Sequence, residues 1–361
     1  MATQESLEND ISDYNLGSSI CIQMAVKAAI ELGVFNIIGK SGPKAHLTSK
    51  EIVAEIPTTN PNVAAENLER ILKLLSVKSL LSTTLKQSLK DETPQRAYGL
   101  TKEALCLLPN EDGNPMNSEN MSSSELHIIQ SLCMLKHSVL EPETVPFYKA
   151  HGVSFYEFLS ERPEMISWFN KHMRTASYLY FDEKVLKVYE GFEEVNELMD
   201  VGGGDGSSLA KIVSMYPHIH GINFDLPSVI AQAPKHQGVK HVGGDMFGSI
   251  PKTQSFTLKL ILHNWDNEHC KKILRNCWEA LPEAGKVIVV EYFVLPEELK
   301  NTPETMQILA DDIFMMTLFN GGKERTIAEM DNLAKSAGFI ETKFFPISHG
   351  TYAIEFLKKI Q

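Results

Sequence analysis

The chain has 361 residues, of which 43% are hydrophobic and 22% charged, with a formal net charge of −12. That composition is globular and the length fits two domains, so disorder is set aside for the bulk of the chain. No Lys/Arg cluster is present to displace counterions from phosphates, and no apolar run approaches the roughly 18 residues of a membrane span, so neither nucleic acid nor a membrane is an expected partner.

The N-terminal stretch MATQESLENDISDYNLGSS is polar and acidic and lacks the basic-then-apolar pattern of a signal peptide. Five cysteines (Cys21, Cys106, Cys133, Cys270 and Cys277) are scattered, with no CxxC pair. Free thiols in a reducing cytosol follow, giving a cytoplasmic location and no metal site.

Residues 18–110 read as helices punctuated by Gly33 and Gly39. Thr48 with Glu51 three residues on is a capping box, and NPNVAAENLERILKLL opens a further helix. STTLKQSLKDETPQRAYGLT suits a two-stranded ribbon. Helices followed by a ribbon outline a winged-helix-like module. The would-be recognition helix sets only Arg70 and Lys73 against Glu66 and Glu69, which favours packing or dimerisation over DNA. The polar run PNEDGNPMNSENMSSSE marks a boundary, giving domains 1–112 and 113–361. Further helices with Met and aromatic residues at helical spacing fill 153–192; most should be core, and some could wall a pocket for a flat apolar ligand.

From Asn196 onward, short apolar runs alternate with helices, the pattern of a parallel α/β sheet covered on both faces, and the C-terminus reads as an antiparallel hairpin. Ligands of such sheets bind beyond the carboxyl ends of the strands. The first strand ends in Val201-Gly202-Gly203-Gly204-Asp205-Gly206. The second ends on Asp225, about 20 residues further, where an acidic residue holds ribose hydroxyls. Ser207 breaks the NAD fingerprint and no Walker lysine is present, so an adenosyl ligand without pyrophosphate fits better, with Asp245 and Met246 flanking its adenine. In LKLILHNWDNEHC, His263 closes the fourth strand at the same edge, whereas His269 lies in the next helix. The fifth strand, KVIVVEYFVLP, ends on Glu291, a charge that would be costly if buried without a partner. His263 is the expected general base, and Glu291 and the Glu324 of GGKERT are the two candidates for orienting it.

Together LMDVGGGDG, GINFDLPSVI, GVKHVGGDMF, LKLILHNWDNEHC, NCWEALPEAGKVIVVEY, GGKERT and TYAIEFLKK resemble the plant S-adenosylmethionine-dependent phenolic O-methyltransferases of the caffeic acid type. Weaker likeness runs through AVKAAIELGVFNII, LTSKEI, PTTNP and ERILKLL. The resemblance implies a Rossmann-like methyltransferase domain behind an N-terminal, mainly helical dimerisation domain, in a homodimer. It implies a cofactor, S-adenosylmethionine, held by Gly202, Asp225, Leu226, Asp245, Met246 and Lys259. By the same likeness His263 is the base framed by Glu291 and Glu324, and Phe169, Met173 and Met315 line the acceptor pocket. Four positions depart from the family. Asp205 replaces a usual Thr or Ser; Asn264, at the acceptor site, replaces Asp; Phe319 and Ala176 replace the Asn and His of lignin-type members. Fewer polar anchors suit a bulkier or less hydroxylated phenol than caffeic acid. A phenol (about 10) and a free imidazole (about 6.5) differ by roughly 3.5 pKa units, near 5 kcal/mol, so proton removal would have to be coupled to attack. The competing readings are an NAD-dependent oxidoreductase and an amine N-methyltransferase on the same fold.

Overall fold

The computed structural model describes residues 16–87, 94–108, 125–177, 181, 184–348 and 350–359. The expected ribbon turn, the polar boundary run up to residue 124 and part of the helical stretch 178–183 lie outside them. The chain forms two compact units, one up to Glu125 and one from Leu126.

In the first unit, helices Leu16–Glu31, Val34–Lys40, Ser49–Val53 and Pro61–Val77 pack with a small antiparallel sheet of β1 (Leu47–Thr48), β2 (Leu81–Lys86) and β3 (Gln95–Leu100), in the order β1-β3-β2. The capping box forms as expected: Thr48 Oγ1 accepts the Glu51 amide, and the Glu51 carboxylate accepts the Thr48 amide at 2.8 Å. Asn60 caps the last helix and Pro61 opens it, where a missing N–H costs nothing. Ala65, Leu68, Leu72 and Leu75, spaced by three and four, face a core shared with Phe35, Ile38 and Tyr98. Among the described residues no single helix is long and apolar enough to cross a membrane, although the bent pair Ser18–Glu31 and Val34–Lys40 passes by length and composition together.

The second unit is built on a seven-stranded sheet of β4 (Glu197–Val201), β5 (His220–Asp225), β6 (Val239–Gly243), β7 (Ser255–Lys259), β8 (Lys286–Glu291), β9 (Glu341–Ser348) and β10 (Thr351–Leu357). Their order is β6-β5-β4-β7-β8-β10-β9. The first five are parallel, and the C-terminal hairpin adds two antiparallel strands. Both faces of the central strands are covered, so β4, β7 and β8 are buried along nearly their whole length, with few polar residues among them. Val287 and Val289 join Phe256, Leu258 and the helix Asn267–Ala280 on one face. Ile288 and Val290 join Leu209, Ile212 and Phe192 on the other. Strand order reverses between β4 and β7, which opens a crevice at their carboxyl ends. A separate cluster joins Ile128, Phe147, Phe155, Leu159 and Leu318, and Phe169 and Phe319 pack against it.

Candidate active site

At the crevice the glycine loop is held by its own backbone. Gly202 has φ +73°, and a Cβ there would lie 2.5 Å from Ile261 Cδ1; a Cβ on Gly203 would lie 2.2 Å from Asn223 Oδ1. Only glycine fits either place. The Gly204 peptide is gripped on both sides, its N–H donating to Asp225 Oδ2 at 2.8 Å and its carbonyl accepting from Asn223 Nδ2 at 2.9 Å. The Leu226 amide donates to the other Asp225 oxygen at 2.7 Å. Burial raises the Asp225 carboxyl, and these two amides pull it back toward the ionised form. Asp205 accepts the Ser207 amide at 3.0 Å, across the left-handed Gly206 that precedes the helix Ser207–Met215. Asp245 closes a tight turn by accepting the Phe247 amide, and the Met246 carbonyl is fixed by Asn276. Lys259, the last residue of β7, donates to Ser177 Oγ at 3.0 Å.

The expected base, His263, lies just beyond β7. The strand ends at Lys259, and His263 sits on a 3-10 turn, Leu262–Asn264, so the expected strand-end placement is corrected by a few residues. The turn begins at Leu260, whose φ of +54° costs a leucine roughly 1–2 kcal/mol. His263 Nδ1 lies 2.8 Å from Glu324 Oε1 and both side chains are buried, so Nδ1 carries a proton and donates it. Of the two carboxylate candidates, Glu324 orients the ring. Nε2 has no hydrogen-bond partner among the described residues and is the nitrogen left for an acceptor.

Glu291 is 2% exposed, and neither carboxylate oxygen forms a well-shaped hydrogen bond, the Leu262 amide giving only weak support. Burial therefore pushes its carboxyl up to about 7, with His263 pulling the other way. Burial alone would lower the His263 imidazole, but Glu324 and then Glu291 outweigh it, and the result is about 9. Donor atoms of His263, Glu291 and Glu324 lie within 4.8 Å of one another, close enough to hold a cation, which the scatter of cysteines and histidines along the sequence did not suggest.

The acceptor-pocket residues divide. Phe169 and Phe319 meet around Phe155, with ring centroids 5.8 and 5.6 Å away, and Tyr156 lies 5.4 Å from Phe319. Met315 is buried, and its carbonyl accepts the Phe319 amide. Met173 packs instead on the cluster containing Leu260 and the buried Ala176. Asn264 braces the turn, its Nδ2 donating to the Leu260 carbonyl at 3.2 Å, which leaves its second N–H and its Oδ1 for an acceptor. His269 is half exposed and pairs with Asp266, as its helical place implies.

Sequence reasoning missed Asn223, Ser177 and the buried Asp200, whose carboxyl is pushed up to about 7 by burial beside Lys259 and Asp225. Asn223 sits two residues before Asp225 in β5 and could have been found from the strand period; nothing local marks Ser177. It also passed over Arg325, the neighbour of Glu324 in GGKERT.

Comparison with known proteins identifies the family. Residues 133–340 match the O-methyltransferase domain, and residues 14–110 match the O-methyltransferase dimerisation domain. The chain is 48% identical to (S)-scoulerine 9-O-methyltransferase of Coptis japonica over 99% of its length and 91% of the relative's. It is 42% identical to caffeic acid 3-O-methyltransferase of Medicago sativa, covering 98% and 95% of the two chains. Among solved structures, human N-acetylserotonin methyltransferase shares the fold over the full length of both chains, with a TM-score of 0.81 at 19% identity. The glycine turn, the carboxylate that grips it and the full-length likeness to plant enzymes leave one assignment: the chain belongs to the O-methyltransferase family and is an S-adenosylmethionine-dependent O-methyltransferase.

Proposed function

We propose that this enzyme methylates a phenolic hydroxyl of a plant specialised metabolite, with His263 as general base. The observation that carries the proposal is the buried His263–Glu324 pair, joined at 2.8 Å beside the crevice. S-adenosylmethionine, when bound, supplies an electrophilic methyl on a positively charged sulfur. Gly202, Asp225, Leu226, Asp245, Met246 and Lys259 are the residues that would hold it, and the glycine turn, packed on Ile261, Asn223 and Asp200 at 202 and 203 but open at Gly204, fits a ligand needing close backbone approach. His263 takes the phenolic proton at Nε2 while Glu324 fixes the tautomer and stabilises the imidazolium. With the imidazole near 9, the gap to a phenol near 10 shrinks to about one unit, about 1.4 kcal/mol. Proton transfer is then nearly balanced, a much smaller demand than a free imidazole would face. The same carboxylates keep the resting imidazole protonated at neutral pH, so activity is expected to rise toward pH 9.

The aromatic cluster of Phe155, Tyr156, Phe169 and Phe319 supports a bulky ring system with few hydroxyls as acceptor. Relatives named for scoulerine, desmethyl-yatein, myricetin and caffeic acid support an alkaloid, lignan, flavonoid or phenylpropanoid phenol as acceptor. The dimerisation domain supports a homodimer. Methyl transfer from labelled S-adenosylmethionine to a panel of such phenols, with amines alongside, tests the assignment. The parent should label one phenol class and His263→Gln should lose at least 100-fold while still binding the cofactor. Equal rates in parent and His263→Gln would remove the base, and labelling of amines alone would move the enzyme to N-methylation.

A further inference from the structure

We propose that Arg325 is a positioning residue that holds the turn carrying the base. The inference rests on His263 being that base. The turn runs from Leu260, in the left-handed region, to Trp265, and it is too short to form a helix that would satisfy its own carbonyls. Its carbonyls are met from outside or by short-range contacts, and those of Leu262 and Trp265 also receive the Cys270 thiol, at 3.1 and 3.4 Å, with the Trp265 amide reaching Leu262 at 3.2 Å. Asn264 takes Leu260, the Asn264 amide takes Ile261 and the Lys323 amide takes His263 at 2.9 Å. Arg325 takes two of them, Nη1 donating to Leu262 at 2.8 Å and Nη2 to Trp265 at 2.7 Å. Its Nε and Nη2 also donate to Asn267 Oδ1, at 3.2 and 3.1 Å, where the next helix begins. One side chain thus bridges the residue before the base, the residue two after it and the start of the following helix.

Two further observations separate this from ordinary core packing. Arg325 is 2% exposed, yet no carboxylate makes an ion-pair contact with it among the described residues. A buried guanidinium is costly to desolvate; the charges of Glu291 and Glu329 offset part of that cost from beyond contact distance, and the carbonyls of one turn, with Asn267, supply its hydrogen-bond acceptors. Arg325 also follows Glu324 directly, so the residue that orients the imidazole ring and the residue that fixes its backbone share one segment. That segment is itself anchored: the Glu324 amide donates to Asp312 at 2.9 Å. Displacement of Arg325 would move both ends of the His263–Glu324 pair. Only a planar fork reaches three acceptors in these directions; a lysine ammonium keeps the charge but not the span.

The test is Arg325→Lys in the full-length enzyme, read as kcat, KM for the acceptor, Kd for S-adenosylmethionine and the pH profile of kcat/KM. Expected is a fall in kcat of about 30- to 100-fold, with Kd for S-adenosylmethionine within about twofold of the parent, because the glycine loop is not touched. The acid limb should keep its position, since the positive charge remains. A kcat within threefold of the parent, or kcat and cofactor affinity falling together, would overturn the proposal. Should Arg325→Lys fail to fold, Asn267→Ala removes one of the three anchors: a fall in kcat of about 3- to 10-fold at unchanged cofactor affinity supports the clamp, and no change overturns it. His263→Gln run alongside separates the two readings. Transfer surviving in that variant removes the base assignment, whereas loss there with unaffected Arg325 and Asn267 variants removes only the clamp.

Discussion

Glu291→Gln gives the sharpest test of the electrostatics at the base. The Glu291 carboxylate lies within 4.8 Å of the His263 and Glu324 donor atoms and is buried with them. At an effective dielectric of about 20, a charge at that distance is worth about 3 kcal/mol, or about two pKa units on the imidazole. Its own carboxyl titrates near 7, so it is ionised at the pH where His263 loses its proton, and the full effect applies there. Removing the charge should therefore bring the acid limb of kcat/KM from about 9 down toward 7. The assay is initial-rate methyl transfer to one phenol from pH 6 to 10 in parent and variant, so that the phenol's own titration cancels in the comparison. The variant should be the faster enzyme at pH 7 if deprotonated His263 limits the rate, and slower above pH 9, where its weaker base meets the same phenol. A limb that moves by less than half a unit would refute the placement of Glu291 as a charge acting on His263. An upward movement would refute the sign of the whole argument.

Two other outcomes follow from the same geometry. Stability should fall as pH rises: the imidazole, raised in the folded state from 6.5 to about 9, contributes fully below 6.5 and is lost as pH passes 9, while ionising Glu291 adds a penalty between about 4.5 and 7. Thermal unfolding of the parent should accordingly show a lower Tm at pH 9.5 than at pH 6, and His263→Gln should flatten that slope; a parent Tm that is constant or rising over this range would contradict the shifts. Gly203→Ala should weaken binding of S-adenosylmethionine at least tenfold, measured by titration calorimetry, because its Cβ would meet Asn223 Oδ1 at 2.2 Å and Asp200 Oδ2 at 2.6 Å and so push the Gly204 peptide off its grip. Cofactor affinity within twofold of the parent would show that the loop can yield.

Much of the crevice edge is legible in the sequence because it is written in local chemistry. Glycine at 202–204 answers a backbone demand that no other residue meets, and an acidic residue at the end of the next strand answers it from across the sheet. Strand ends at Val201, Asp225 and Glu291 fell where the apolar runs stopped, since a doubly covered strand stays apolar until it reaches the edge. The capping box and the C-terminal hairpin were readable for the same reason. What was not legible is tertiary. Asn223 and His241, joined at 3.1 Å beneath the loop, come from neighbouring strands, and Ser177 meets Lys259 across 82 residues. The choice between Glu291 and Glu324 as the partner of His263 also depends on a contact over 61 residues, which spacing cannot rank. The resemblance puts Asn264 at the acceptor, but its second contact is not legible in sequence: the left-handed Leu260 leaves a carbonyl that needs a donor, and one N–H of the Asn264 amide goes there.

The placement of His263 on a turn is what allows the pair to exist. Along β7, Phe256 and Leu258 face one core and Lys259 faces the other, and β8 is in register with it, Leu258 beside Val289 and Lys259 beside Val290. Side chains alternate along a strand, so Glu291 lies on the face of Val287 and Val289. Had β7 continued straight to residue 263, the histidine would share the face of Lys259, on the opposite side of the sheet from Glu291. The left-handed Leu260 ends the strand one residue after Lys259, and the 3-10 turn carries His263 back to the face where Glu291, Glu324, Val294 and Met330 surround it. A strained leucine, a set of carbonyls with no place in the sheet and a buried arginine that donates to two of them are thus connected consequences of one arrangement: Lys259 and His263 come from the same strand end and face opposite ways.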